Sequence, residues 1–75
     1  MRQFYNVEIP YCTRNDITKA RAFYAYLKEN GWWCEVSSAD THLHFEILLY
    51  PYEAVRVNKA LDEIVYNDAI TEVTI

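Results

Sequence analysis

At seventy-five residues, with 52% hydrophobic and 24% charged side chains, one Gly and two Pro, the chain has the composition of a single folded domain and excludes a disordered tail, a collagen or a low-complexity linker. Seven Lys/Arg against eleven Asp/Glu give a net charge of -4, and the basic residues are scattered from Arg2 to Lys59, so a polyphosphate partner such as nucleic acid is disfavoured. Cys12 and Cys34 are too few for a disulfide scaffold and have no C-x-x-C or Cys/His spacing for zinc, which leaves stability to a packed core.

Residues 3–11, QFYNVEIPY, alternate Tyr5, Val7, Ile9 and Tyr11 on one side with Phe4, Asn6 and Glu8 on the other, the period-2 pattern of a half-buried strand. Thr13, Asn15 and Asp16 then offer N-caps to a helix in which Ile17, Ala20, Tyr24 and Leu27 recur at helical spacing beside Phe23, and Asn30-Gly31 stops it. The stretches 32–38 and 42–50 are rich in aromatic and aliphatic residues, and the polar run around Ala39-Asp40 between them predicts a hairpin. A turn centred on Ala39-Asp40 pairs Ser37 with His42, Glu35 with His44, Cys34 with Phe45, Trp33 with Glu46 and Trp32 with Ile47, so that a Glu35–His44 ion pair is expected across it. Pro51 opens a second helix carrying Ala54, Val57, Leu61 and Ile64 beside Ala60, which ends near Asn67-Asp68, and residues 69–75 read as a last strand.

The order β-α-β-β-α-β predicts an α+β, ferredoxin-like domain spanning 1–75, a four-stranded antiparallel sheet of order 4-1-3-2 with both helices on one face. The helix side of that sheet takes Tyr5, Val7, Ile9, Trp32, Cys34, Val36, Leu43, Phe45, Ile47, Leu49, Val73 and Ile75. By the same alternation the open side carries Phe4, Asn6, Glu8, Trp33, Glu35, Ser37, His42, His44, Glu46, Leu48, Tyr50, Ile70, Glu72 and Thr74. Carboxylates, two imidazoles and large apolar groups on one uncovered face point to a protein partner with a basic or apolar surface, or to a second copy.

The expected partner-binding residues are therefore Phe4, Glu8, Trp33, Glu35, His42, His44, Glu46, Leu48, Tyr50 and Glu72. A solvated sheet face with the aromatics as mere cross-strand partners is the competing reading. His42-x-His44-x-Glu46 sets two imidazoles and a carboxylate on one side of a strand, but side chains two apart stand about 6–7 Å from each other, wide for one ion. No metal or other cofactor is expected.

Among ferredoxin-like families, RNA-recognition motifs carry a basic-Gly-aromatic signature on the third strand, and HLHFEILLY has no Lys, Arg or Gly. PYCTRND holds one cysteine where heavy-metal domains have M-x-C-x-x-C, and Glu35 stands where an acylphosphatase needs Asn after Gly31-Trp32. No nucleophile-base set or phosphate loop occurs, so no catalytic residue is expected. The opening MRQFYNVEI has acid at Glu8 and no apolar run of a leader, and no stretch nears the roughly eighteen apolar residues of a membrane helix, which predicts a cytoplasmic protein. The resulting expectation is a small non-enzymatic interaction module acting through the open sheet or a loop such as 10–16, in size like a phage or mobile-element inhibitor that blocks a host protein. The alternatives are ligand or metal binding on the open sheet, and a homodimeric structural module formed by sheet stacking or by edge pairing of 32–38 or 69–75.

Overall fold

A computed structural model describes residues 1–66. The expected strand 69–75, with Ile70, Glu72, Val73, Thr74 and Ile75, lies outside the described residues. The described elements follow in the order β1 (Gln3–Pro10), α1 (Arg14–Glu29), β2 (Cys34–Ser38), β3 (His42–Leu49) and α2 (Pro51–Ile64). They form an α+β arrangement with a three-stranded antiparallel sheet of order β1-β3-β2.

Helix α1 starts where Thr13 accepts a hydrogen bond on Oγ1 from the Asp16 amide (3.1 Å), while Asp16 Oδ2 accepts from the amides of Cys12 (3.0 Å) and Thr13 (3.1 Å). This reciprocal cap satisfies amides that the helix itself cannot. It ends at Asn30, whose side-chain amide donates to the Tyr26 carbonyl (2.8 Å), and the chain turns at Gly31 with φ +74°, a left-handed conformation suited to glycine. Pro51 opens α2, where it needs no amide hydrogen, and Glu53 caps it by accepting on Oε1 from the Tyr50 amide (2.8 Å).

One sheet face is covered. Ile9, Phe45, Ile47 and Leu49 meet Ala20, Phe23 and Leu27 of α1 and Val57 of α2, with Trp32 and Val65 in the same cluster. Phe23 and Phe45 join the layers edge to face, ring centres 5.3 Å apart. Phe23 rather than Tyr24 is the large core residue on that turn of α1, and Tyr24 stays exposed.

Three local expectations are corrected. Strand β2 begins at Cys34, not Trp32, because the turn at Gly31 sends the Trp32 indole inward, where Nε1 donates to Glu53 Oε2 (2.9 Å). Val36 lies on the helix side as expected but is exposed, because a groove separates it from Ala20 and Tyr24 of α1.

The third correction is the hairpin register. Ala39 donates to the His42 carbonyl (2.8 Å), so the loop tip is Asp40-Thr41 and the pairs become Cys34–Ile47, Glu35–Glu46, Val36–Phe45, Ser37–His44 and Ser38–Leu43. The Thr41 carbonyl, held by the Tyr11 amide (2.9 Å), anchors that tip to the loop after β1. Moving the turn centre by one residue moves the register by two, which keeps every side chain on its face while changing every partner.

The caps carry a pH dependence. Backbone hydrogen bonds from Cys12 and Thr13 hold the Asp16 carboxyl below its ordinary range, and a backbone bond from the Tyr50 amide with a side-chain bond from the Trp32 indole does the same for Glu53. Both folded-state values are depressed. The stability they contribute is present above the unfolded values of about 4 and is lost as pH falls through the lower folded ones. Circular-dichroism melts should show a melting temperature that falls below about pH 4, with a shallower fall in an Asp16→Asn/Glu53→Gln variant; parallel pH profiles would contradict this assignment.

Candidate functional site

The open sheet face is built in rows that the register dictates. Phe4 of β1 pairs with Leu48 of β3, and the Leu48 amide donates to the Trp33 carbonyl (3.0 Å), so Phe4, Leu48 and Trp33 form an apolar row. Phe4 and Trp33 meet edge to face at 5.9 Å and remain 59% and 47% exposed. Such large apolar groups side by side in water cost solvation free energy that a partner would recover.

The second row is Asn6, Glu46 and Glu35. Its carboxylates are direct cross-strand partners, with α-carbons about 5.5 Å apart in a hydrogen-bonded pair. Like charges so placed oppose the sheet. Glu8, His44 and Ser37 form the third row, and Pro10 with His42 the fourth.

The Glu35–His44 pair expected across the hairpin is absent. His44 stands between Glu8 and Ser37, and its Nε2 bonds Asn6 Oδ1 (2.9 Å). The His42 Nδ1 shares a hydrogen bond with the Thr41 hydroxyl (2.6 Å), beside the loop tip. Among the described residues no three His, Cys, Asp or Glu side chains converge closely enough to hold a metal ion.

At the apolar end, Tyr50 follows β3 and stacks on Tyr52 (5.7 Å, 9°), with the Arg2 guanidinium 4.7 Å from its ring centre. Arg2, Gly31, Trp32, Trp33 and Leu48 line a cleft of about 270 Å³ next to the apolar row. The structure thus brings Phe4, Trp33, Leu48, Glu35, Glu46, Glu8 and His44 onto one continuous surface, with Tyr50 at one margin and His42 at the other. Glu72 lies outside the described residues.

Asn6 and Arg2 belong to this surface as well. Alternation places Asn6 on it, but only the spatial rows show it holding His44. Arg2 precedes the strand pattern, and its stacking on Tyr50 has no sequence signal beyond adjacency to β1. Neither cysteine joins the site. Burial pushes the Cys34 thiol up, with Lys28 opposing weakly, and Cys12 donates from Sγ to the Thr41 carbonyl (3.4 Å).

No described helix is long and apolar enough to cross a membrane. Compared with family models, with curated proteins and with solved structures, the chain matches none.

Proposed function

We propose that this protein is a small interaction module whose open sheet face docks a partner protein carrying an apolar patch flanked by Lys or Arg. The observation that carries this reading is the adjacency of two rows: exposed Phe4 and Trp33 flanking the half-buried Leu48, beside the directly opposed Glu35 and Glu46. The apolar row supplies a hydrophobic centre of the kind that dominates binding energy. A partner cation placed between the carboxylates would relieve their repulsion and fix the orientation of docking. Blocking the bound protein, as a phage or mobile-element inhibitor would, is the form of this function that a chain of this size suits.

The architecture we propose for the whole chain is ferredoxin-like, with 69–75 added beside β1 to give the order 4-1-3-2 and Glu72 extending the acidic surface. Support comes from Tyr66, whose hydroxyl donates to the Glu8 carbonyl (3.5 Å), so the chain leaves α2 beside β1 and away from β2.

Affinity capture from the source cell, with wild type and a Trp33→Ser/Leu48→Ser variant as baits, tests the function. Wild type should retain a partner that elutes with rising salt, because ion pairs at the rim are screened, and the variant should lose it while keeping its circular-dichroism spectrum. Identical retained proteins on both baits would overturn the proposal.

A further inference from the structure

Strand β2 is the outer strand of the described sheet, on the side opposite the point where Tyr66 meets β1. Its inward hydrogen bonds are made by odd-numbered residues, as Trp33 with Leu48 and Ala39 with His42 show. The antiparallel ladder therefore turns the amides and carbonyls of Cys34, Val36 and Ser38 outward. An unbroken five-residue register without proline, lysine or bulge leaves this edge open to another strand.

Beside the edge, between β2 and α1, runs a groove of about 490 Å³ whose lining combines Ala20, Tyr24, Val36 and Leu43 with the charged Arg21 and Glu35. Val36 and Tyr24 are exposed in it. Backbone groups that need a strand and a largely apolar groove thus lie side by side.

We infer that β2 pairs antiparallel with β2 of a second copy of this chain, about a two-fold axis through Val36. The outward set Cys34, Val36 and Ser38 is symmetric about its middle member, so in this register each outward amide of one copy meets an outward carbonyl of the other. Val36 faces the partner's Val36, and Cys34 faces the partner's Ser38. The two grooves then join on the helix side and cover both valines. On the open side Glu35 falls opposite the partner's Ser37, whose hydroxyl can donate to it, and not opposite the partner's Glu35. The single charge on this strand is therefore compatible with self-pairing. This contact lies at the sheet edge and shares only Glu35 with the docking face of the proposed function, and salt distinguishes them: each chain carries a net charge of -4, so screening should tighten the dimer while it loosens a basic partner.

Sedimentation equilibrium of the full chain decides the matter, with wild type, Val36→Pro, Val36→Lys and Trp33→Ser compared across a wide concentration range. Proline at 36 removes an outward amide and leaves the β2–β3 ladder intact, and lysine sets two cations against each other across the axis. Wild type and Trp33→Ser should reach twice the mass of one chain and dissociate on dilution, while both Val36 variants stay at one. Should the proline variant lose its folded spectrum, the lysine variant decides, because Val36 is exposed. A wild type of single-chain mass throughout, or Val36 variants that associate as wild type does, overturns the inference; a dimer lost in Trp33→Ser also overturns it, since the copies would then meet through the open face.

Discussion

Phe45→Ala is expected to leave a large share of the population unfolded at room temperature. Phe45 is 1% exposed at the middle of β3, the strand that pairs with both neighbours, and its ring meets Phe23 of α1 edge to face. Truncating a buried phenylalanine costs about 3–5 kcal/mol through lost transfer energy and a residual cavity. A domain this small is held by roughly 5 kcal/mol. The two quantities are nearly equal, so urea titration should find the transition at the edge of zero denaturant. A midpoint close to that of wild type would mean that the Phe23–Phe45 contact is not where the layers are joined.

Trp33→Ala is expected to do the reverse, sparing the fold and removing function. The indole is half exposed and its main protein contact is the edge-to-face meeting with Phe4, worth about 0.5–1.5 kcal/mol. At a binding hot spot the same truncation costs about 2 kcal/mol or more, roughly a thirtyfold loss of affinity. Calorimetry with the captured partner, beside thermal melts of the free protein, separates the two effects. A melting temperature that collapses while affinity holds would reassign Trp33 from the docking surface to the core.

The five described elements could be read from the chain because its periodicities are strong. QFYNVEIP and HLHFEILL alternate cleanly, and the N-cap Thr13 and the helix-opening Pro51 stand where the helices begin. The faces of the sheet follow from that alternation, and with them the membership of the candidate surface. The pairings within it do not. Ala39-Asp40 and Asp40-Thr41 are both acceptable turn centres by composition, and the registers they set differ by two residues, which the hydrophobic pattern cannot distinguish. In the structure the Ala39 amide closes the turn on the His42 carbonyl, and the Thr41 carbonyl at the tip is taken by the Tyr11 amide from the loop after β1, a tertiary contact with no local sequence signature. Its consequence is chemical: Glu35 meets Glu46 in place of His44, so an expected pair of opposite charge becomes a pair of like charge. Val36 illustrates a second limit. Parity assigns its side of the sheet, but only the reach of α1 determines that it is left uncovered.

The two adjacent tryptophans provide the most direct measurement of the central claim. Trp32 is buried with its indole N–H on Glu53, and Trp33 lies on the open face, so their indole signals in a proton–nitrogen correlation spectrum report the core and the proposed docking surface from neighbouring positions. Titration with the captured partner should shift the Trp33 indole and the amides of Glu35, Glu46 and Leu48, and leave the Trp32 indole near its free position. Shifts confined to the outer faces of α1 and α2, with the Trp33 indole unmoved at saturation, would contradict docking through the open sheet.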